Sequence, residues 1–509
     1  MRVPLSWLRE FVPVAEDASA EDLMATLVKV GLEEEDVHRP SDELSGPIVV
    51  GQVLSMEPET HSNGKTVNWC QVRVVPEGQE QTLTGKGIEP SGVQGIICGA
   101  HNFKPGDKVV VTLPGAVLPG GFAITARKTY GHKSAGMIAS TRELGIGDDH
   151  GGILVLSTLG LDPELGTDAM ELLGLYDQAA EVNVTPDRGY AFSLRGIARE
   201  WCHATGSSFE DFVLAYGERA PEANESGHPV SLRYDAPIHG NPGCTRFVMR
   251  EVSGVKADAP VPTWMSSRLR LAGVRSLSLP VDISNYVMLE TGQPLHFYDA
   301  DKVQGEIVVR RAAAGEKLVT LDGVERTLHP EDIVIADDSG VIGLAGVMGG
   351  ASTEVTDSTT RILVESARFD EVSVARTARR HKLISESSKR FERGVDPQIQ
   401  TAAAQRAVEL LVELVGAQVE PGVTDVSLGY EPVVIDLPAD YTAGRIGVDY
   451  SPEQIESCLR EIGCSVERTE SGYAVTVPSW RTDLRAKEDL TEEIARIDGY
   501  ENIPSTLPV

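Results

Sequence analysis

The sequence predicts an α+β protein built from several domains. A chain of 509 residues exceeds what one hydrophobic core usually supports, so we expect about three or four domains. Short β-branched runs separated by Gly, Pro and Asn predict a small antiparallel barrel in the first third. Apolar residues at helical spacing predict helices before and after it.

The N-terminal segment is predicted to be helical in two places. Leu5, Leu8 and Phe11 recur near helical spacing and predict a short amphipathic helix. A second helix is predicted after Ser19, which is followed three residues later by Asp22 in the pattern of an N-terminal cap. The barrel strands are then expected at "PIVVGQVLSME", "VNWCQVRVV", "GIICGA", "DKVVVTL" and "GGFAITARKTYG", with "GILVLS" near their end.

The second half of the chain mixes helices and strands. A helix is predicted at "PTWMSSRLRLAGV", strands at "EIVVRRA", "DIVIAD" and "RILVESA", and a long helix after Pro397. The end alternates strand "VVIDLP", helix "SPEQIESCLREIGC", strand "YAVTVP" and a last helix at "EDLTEEIARID". A second α/β module is therefore expected at the end of the sequence.

Composition and missing motifs exclude several function classes. A net charge of -30 opposes wholesale binding of a polyanion, so any nucleic-acid contact must use local basic patches. The sequence contains no P-loop, GxSxG or HExxH motif, and no helix follows "GLAGVMGG" as a dinucleotide loop requires. Six scattered cysteines without a CxxC pair predict reduced thiols of a cytoplasmic protein, and no segment is apolar enough to span a membrane.

Two residues of the second half stand out as candidate site residues. His296 lies beside aromatic residues in "PLHFYD", where a histidine satisfied within the core is the simpler interpretation. Glu365 alternates with apolar neighbours in "RILVESA", which predicts that its carboxylate points inward. A buried carboxylate requires a partner or a function.

A basic segment and an acidic segment each allow two interpretations. The basic one is either a solvated face paired with acidic neighbours or a phosphate-binding surface, and it carries Arg376, Arg379, Arg380, Lys382, Lys389, Arg390 and Arg393. The acidic one contains Asp483, Asp489, Glu492 and Glu493. Its last three residues share one face of a helix and either complement the helix dipole or hold a cation.

Five motifs taken together resemble one family. "NVTPDRGY", "YVMLETGQPLHFYD", "GLAGVMGGASTEV", "SESSKRFERGVDP" and "PSWRTDLRAKEDLTEEIARIDGYENIP" occur in the order typical of the bacterial phenylalanyl-tRNA synthetase β subunit. The resemblance covers essentially the whole sequence. It identifies the chain as similar to the N-terminal part of that subunit, since the family continues with synthetase-like and anticodon-binding domains.

The resemblance implies a specific domain order. An oligonucleotide-binding (OB) fold of the tRNA-binding type, residues 42–153, would be inserted in a small α/β domain formed by 1–41 and 154–210. A mixed α/β editing module would span 211–427, followed by a small winged-helix-like α/β module at 428–503.

The resemblance also implies an activity and a set of site residues. An α subunit would charge tRNA(Phe) with ATP in an α2β2 tetramer, while the editing module would hydrolyse mischarged Tyr-tRNA(Phe). A non-catalytic tRNA-docking and assembly scaffold is the alternative. The implied editing-site residues are Arg275, Asn285, His296 and Glu365, with Gly343, Gly346, Ser385 and Ser387 lining the pocket. The basic residues Arg376, Arg379, Arg380, Lys389 and Arg390 would contact tRNA, and the four carboxylates Asp483, Asp489, Glu492 and Glu493 would bind Mg²⁺ shared with the α subunit.

Overall fold

The computed structural model describes residues 1–233 and 238–505. Residues 234–237, within the predicted editing module, and 506–509, at the end of the sequence, lie outside the described part. The chain begins with strand β1 (Arg2–Pro4), helices α1 (Leu5–Leu8) and α2 (Ala20–Leu27), and strand β2 (Glu33–His38). The Ser19 side chain caps α2 in a capping box with Asp22, as predicted.

The predicted barrel is present as a five-stranded antiparallel sheet of order β11-β6-β3-β4-β5. Two hairpins, β7-β8 and β9-β10, accompany the five-stranded sheet. The strands of this region are β3 (Ile48–Thr60), β4 (Thr66–Arg73), β5 (Val93–Cys98), β6 (Lys108–Thr112), β7 (Val117–Leu118), β8 (Phe122–Ala123), β9 (Ala126–Thr129), β10 (His132–Ala135) and β11 (Met137–Ile138). The sheet is thus a half-barrel, and the side chain of Gln94 on β5 donates to the carbonyl of Ala135 on β10 over 2.6 Å.

The chain then returns to its first strands. Strand β12 (Ala179–Asn183) lies between β1 and β2 in a three-stranded antiparallel sheet. The helices of this part of the chain are α3 (Ala169–Leu172), α4 (Leu194–Thr205) and α5 (Phe212–Glu218). Helix α4 shares a core with β12, whereas α3 packs in the barrel core and α5 packs on Ile399 and Ala402. Strands β3 to β11 thus lie along the chain between β2 and β12, which pair with each other, while the bounds 42–153 of the inserted domain stay a prediction.

A two-sheet sandwich occupies the centre of the second half. One sheet has the order β15-β22-β14-β23 and the other the order β13-β16-β19-β20-β21. The elements are β13 (Val230–Leu232), β14 (Cys244–Ser253), α6 (Thr263–Leu271), α7 (Leu279–Thr291), β15 (Leu295–Asp299), β16 (Ile307–Arg311), β17 (Lys317–Val319), β18 (Glu325–Thr327), β19 (Ile333–Asp337), β20 (Gly340–Leu344), β21 (Met348–Gly349), β22 (Arg361–Phe369), α8 (Glu371–His381), α9 (Glu386–Arg393), α10 (Gln400–Val415) and β23 (Gln418–Ser427).

The two faces of the four-stranded sheet contact different cores. Val364 and Phe297 pack with the N-terminal helices and α10 in one buried cluster. Tyr298 and Leu363 pack with the five-stranded sheet in another. Alternation along β15 and β22 produces this division, since neighbouring side chains point to opposite faces.

The last module is a three-stranded sheet of order β24-β26-β25 with helices against it. It contains β24 (Val434–Pro438), α11 (Tyr441–Ile446), α12 (Pro452–Glu461), β25 (Ser465–Arg468), β26 (Gly472–Thr476) and α13 (Lys487–Asp498). The four predicted elements occur in the predicted order as β24, α12, β26 and α13, whereas α11 and β25 were not predicted.

The hydrophobic cores cross the boundaries expected from the resemblance. Leu154, Leu156 and Met170 are buried in a cluster with barrel residues such as Val50. The barrel core thus extends past residue 153, because these apolar side chains belong to the same buried cluster. The N-terminal helices likewise share one core with α7 and α10.

Candidate functional site

A cavity of about 210 Å³ lies between the two sheets of the sandwich. His296 and Glu365 line it from the four-stranded sheet, and Ile335 and Gly343 line it from the five-stranded sheet. Apolar and polar side chains both line this space, and Glu365 and Tyr298 are the buried polar groups among them. Such a space has the character of a small-ligand site.

The antiparallel pairing of β15 and β22 brings the polar groups together. His296 lies directly opposite Glu365 in this register. Tyr298, two residues further along β15, points to the same face, and its hydroxyl donates a hydrogen bond to Oε2 of Glu365. The rings of His296 and Tyr298 meet edge to face with centroids 4.5 Å apart. The side chains of His296, Tyr298 and Glu365 thus lie side by side next to the cavity.

Burial sets the protonation of these groups. Burial raises the pKa of Glu365 to about 7, and the hydrogen bond from Tyr298 opposes part of that rise. Burial lowers the pKa of His296 to about 4, so the imidazole is neutral near pH 7. The prediction that Glu365 points inward is confirmed, since this side chain is buried.

Backbone and hydroxyl groups form the opposite side of the cavity. Ser387 lines it and donates to the carbonyl of Gly346 over 3.0 Å. Asn285, on α7, also lines it. Ser385 does not line the cavity; it caps α9, and its hydroxyl donates to the carbonyl of Val347, which does line it. Arg275 is exposed and does not line the cavity.

The basic segment forms parts of α8 and α9, and most of its charges are already paired. Arg376 bonds Glu331 over 3.0 Å, and Arg380 pairs with both Glu331 and Asp332. Lys389 lies 2.8 Å from Glu386 on α9. The interpretation as a face paired with acidic neighbours therefore fits these three residues.

Two further basic residues differ from one another. Arg390 is buried and donates to the Glu386 carboxylate and to the Phe192 carbonyl, so it is not on the surface expected to receive tRNA. Arg379 is exposed near the end of α8, and no ion pair to it is found among the described residues. It is thus the member of the set best placed to meet an external anion.

The four C-terminal carboxylates are held by partners within the chain. Glu493 is bonded by Arg188 at 3.0 Å, Arg481 at 2.6 Å and Arg496 at 2.7 Å. Burial alone would raise the pKa of Glu493, but Arg481 and Arg496 outweigh it and hold that pKa well below its usual range. Asp483 receives two hydrogen bonds from Arg481.

The other two carboxylates do not complete a metal site either. Asp489 accepts a hydrogen bond from the backbone N–H of Ala486, which makes it a cap of α13. Glu492 is exposed. Among the described residues, the group whose ligand atoms converge closely enough for a metal is Asp36, His38 and Glu181, in the N-terminal sheet. In this arrangement the four carboxylates do not fit Mg²⁺.

Two contributors to the cavity were not anticipated from the sequence. Tyr298 contributes the hydroxyl that bonds Glu365, and a Cβ added at Gly349 would lie 2.3 Å from Cε1 of His296. The alternation of "LHFYD" places Tyr298 on the face of His296. The pairing of β15 with β22 brings that face to Glu365, and this pairing cannot be predicted from the sequence of one strand.

Comparison with known families matches two parts of this chain. A model described as the B3/4 domain matches residues 243–416, which include the cavity. A model described as the tRNA synthetase B5 domain matches residues 435–500, which include the four carboxylates. No helix in residues 1–233 and 238–505 is long and apolar enough to cross a membrane.

Curated relatives match the whole chain. The phenylalanine–tRNA ligase β subunit of Leifsonia xyli is 58% identical over 516 residues, covering 100% of this chain and 60% of the relative. That of Streptomyces avermitilis is 54% identical, covering 100% of this chain and 59% of the relative. The chain thus spans about three fifths of the length of the curated relatives it matches. A solved N-terminal fragment of the β subunit from Pyrococcus horikoshii aligns with 67% of this chain and 96% of its own at 13% identity and a TM-score of 0.31, too low to support an argument.

Proposed function

Because the chain belongs to the family of phenylalanine–tRNA ligase β subunits, we propose that it supports the charging of tRNA(Phe) and carries an editing site for mischarged Tyr-tRNA(Phe). The partner would be an α subunit that consumes ATP, as part of an α2β2 enzyme in the cytoplasm. The observation that carries the editing part is the buried carboxylate of Glu365 beside the cavity.

Glu365 is the proposed acceptor for the tyrosine hydroxyl. A synthetic pocket that holds a phenyl ring rejects an added hydroxyl only weakly, whereas a site with a buried hydrogen-bonding group prefers the hydroxylated ligand strongly. An ionised carboxylate in the cavity would be left unpaired by phenylalanine and satisfied by tyrosine. An editing site of this kind would therefore prefer tyrosine, whereas the synthetic pocket prefers phenylalanine.

Hydrolysis of the ester would use the neutral His296 and a water molecule. Water adds to the carbonyl carbon, the bond to the ribose oxygen breaks, and the ribose hydroxyl takes up a proton, which yields free tyrosine and tRNA. His296 faces the same cavity and is neutral near pH 7, so its ring can hold that water in place. The carbonyl groups and hydroxyls around Gly346 and Ser387 would position the substrate.

Deacylation of Tyr-tRNA(Phe) by the purified chain tests this proposal. We expect hydrolysis of Tyr-tRNA(Phe) in preference to Phe-tRNA(Phe), and loss of that preference in Glu365→Gln, which keeps the shape of the side chain. His296→Ala should lower the rate on Tyr-tRNA(Phe). Glu354→Gln and His150→Ala, which change exposed residues that do not line the cavity, should retain the parental rate.

Each outcome of this experiment has a distinct meaning. No hydrolysis above buffer by the unaltered chain would overturn the editing proposal and favour the non-catalytic docking scaffold. Hydrolysis that survives both Glu365→Gln and His296→Ala would place the reaction elsewhere in the molecule. The support of tRNA charging is a separate claim, tested by adding the α subunit, phenylalanine and ATP.

A further inference from the structure

The hydroxyl of Tyr298 is engaged with the residue proposed to recognise the ligand. Its side chain is 1% exposed, and the O–H is directed at Oε2 of Glu365. No described residue donates a hydrogen bond to the other oxygen, Oε1, and this atom is not among the fully enclosed unpaired atoms of the described chain. The Glu365 carboxyl therefore offers one engaged oxygen and one open oxygen.

The register of the sheet fixes this arrangement. Tyr298 pairs with Leu363 across β15 and β22, while His296 pairs with Glu365, so Tyr298 reaches Glu365 on the diagonal. The His296 ring packs against Tyr298 on one side, and Gly349 leaves room for that ring on the other. The His296 ring thus lies between Gly349 and Tyr298, and the buried phenol ring places its oxygen beside Glu365.

We propose that Tyr298 is a specificity-determining residue of the editing site, which holds one oxygen of Glu365 and leaves the other as the single acceptor for the hydroxyl of a phenolic ligand. The inference rests on the proposed function. A protonated carboxyl group could also donate a hydrogen bond, and a carboxylate free to rotate would offer no fixed acceptor, so either would discriminate less sharply. One fixed acceptor, left unpaired by a phenyl group, makes that ligand unfavourable.

The pKa shifts of Tyr298 and Glu365 agree with Tyr298 as the donor and Glu365 as the acceptor. Burial and the neighbouring Glu365 raise the pKa of Tyr298 well above its ordinary value, so the phenol keeps its proton and is the donor. The hydrogen bond from Tyr298 lowers the pKa of Glu365 against the effect of burial. Tyr298 thereby favours the ionised, acceptor-only form of the carboxyl group near pH 7.

The other charged or titratable groups near this pair come from three strands. His296 lies on β15 and is neutral, Asp337 on β19 acts on Tyr298, and Cys244 on β14 is a buried thiol affected by Glu365. Burial raises the pKa of Cys244 further above its ordinary value, so this thiol stays protonated around pH 7. Glu365 is therefore the group of this set expected to titrate near neutrality.

Tyr298→Phe removes the hydroxyl and keeps the ring, which isolates the proposed role. The infrared absorption of the protonated Glu365 carboxyl, identified by subtracting the spectrum of Glu365→Gln, should titrate about one pH unit or more higher in Tyr298→Phe, because a hydrogen bond to a charged group is lost. The preference for Tyr-tRNA(Phe) over Phe-tRNA(Phe) at pH 7 should fall about tenfold or more for the same reason, mainly through KM. Raising the pH should restore part of the preference.

The results separate this inference from the proposed function. Hydrolysis with a parental titration and parental preference in Tyr298→Phe would overturn the role of Tyr298 and leave the editing site standing. No hydrolysis by the unaltered chain would overturn both. Tyr216→Phe is the matched control, since Tyr216 donates to buried Glu290 over 2.9 Å, outside the cavity lining, and should change neither the titration nor the preference.

Discussion

The carboxylate of Glu493 and the guanidinium of Arg481 form an ion pair of 2.6 Å in which each side chain is 2% exposed. Arg188, from the N-terminal half, bonds the same carboxylate over 3.0 Å. Arg496 connects it to Glu200 on α4 through a further bond of 2.5 Å. This network fixes the last module against the N-terminal unit through buried charges.

Replacing Glu493 with Ala should therefore destabilise the chain strongly. Three buried guanidinium groups would lose a shared carboxylate, and breaking a buried pair by removing one partner typically costs about 3–5 kcal/mol. Urea unfolding measures the change. Glu413→Ala on α10 is the control, because Glu413 is exposed, has no side-chain bond within the described part of the chain, and should change stability by about 0.5 kcal/mol or less. Equal losses in the two variants would contradict a buried role for Glu493.

Mg²⁺ should not bind at the four carboxylates of the isolated chain. Arginines hold Glu493 and Asp483, and Asp489 caps α13, so a cation would have to displace these partners. Calorimetric titration with MgCl2 should show no saturable binding, and the melting temperature should not rise. One-to-one binding that disappears in Asp489→Asn would contradict this prediction.

The acidic segment, for which the sequence allowed either a helix-dipole role or cation binding, shows which contacts a sequence can predict. Helical spacing and the preference for acids in a first turn predicted the part played by Asp489. Helical spacing also puts Arg496 beside Glu493, but Arg188 could not be found in the same way, because it lies 305 positions earlier in the chain. Pairing over such distances depends on how the modules dock, which local pattern does not encode.

The residues of the cavity could also be predicted only in part from the sequence. Alternation in "RILVESA" indicated that Glu365 points inward, and the structure confirms it. The resemblance brought in His296, but nothing in the sequence indicated that Tyr298 would reach Glu365, since this requires the register of β15 on β22. Burial of Arg390 was equally hidden, because a basic residue among other basic residues is usually exposed.

Gly349→Ala should abolish editing with little loss of fold. The added Cβ would lie 2.3 Å from Cε1 of His296, so the imidazole must leave its position beside Glu365. Deacylation of Tyr-tRNA(Phe) should fall by about a hundredfold, as is common when a reacting group is misplaced. Gly99→Ala, where nothing lies within 4 Å of the new Cβ, should keep the parental rate. Retained activity in Gly349→Ala would show that His296 is not needed in place.

Arg379→Glu should weaken tRNA binding without affecting stability. Arg379 is exposed, and the reversal of its charge would repel a phosphate instead of attracting it. Filter binding of tRNA(Phe) at several salt concentrations should show lower affinity and a salt dependence reduced by about one counterion. Arg460→Glu, on α12 in the last module, is the control. Identical binding by both variants would remove α8 from the proposed tRNA contact.

Glu365 should also make stability depend on pH. Burial raises the pKa of this carboxyl to about 7 from an ordinary value of 4.5, so between these values the folded chain keeps a proton that the unfolded chain releases. The resulting stabilisation is complete below the lower value and is lost as the pH rises through the higher one. Glu365→Gln cannot ionise and should gain stability relative to the parent, by about 3 kcal/mol at most, between about pH 5 and pH 8.

Urea unfolding of the parent and of Glu365→Gln across this range measures the difference directly. His296 acts in the opposite direction, because burial lowers its pKa to about 4 from an ordinary 6.5, and its stabilisation is lost as the pH falls between those values. It is present in both proteins, so its contribution cancels in the difference as long as the substitution leaves its surroundings unchanged. Parallel stability curves would mean that Glu365 titrates normally and is not buried as a charged acceptor.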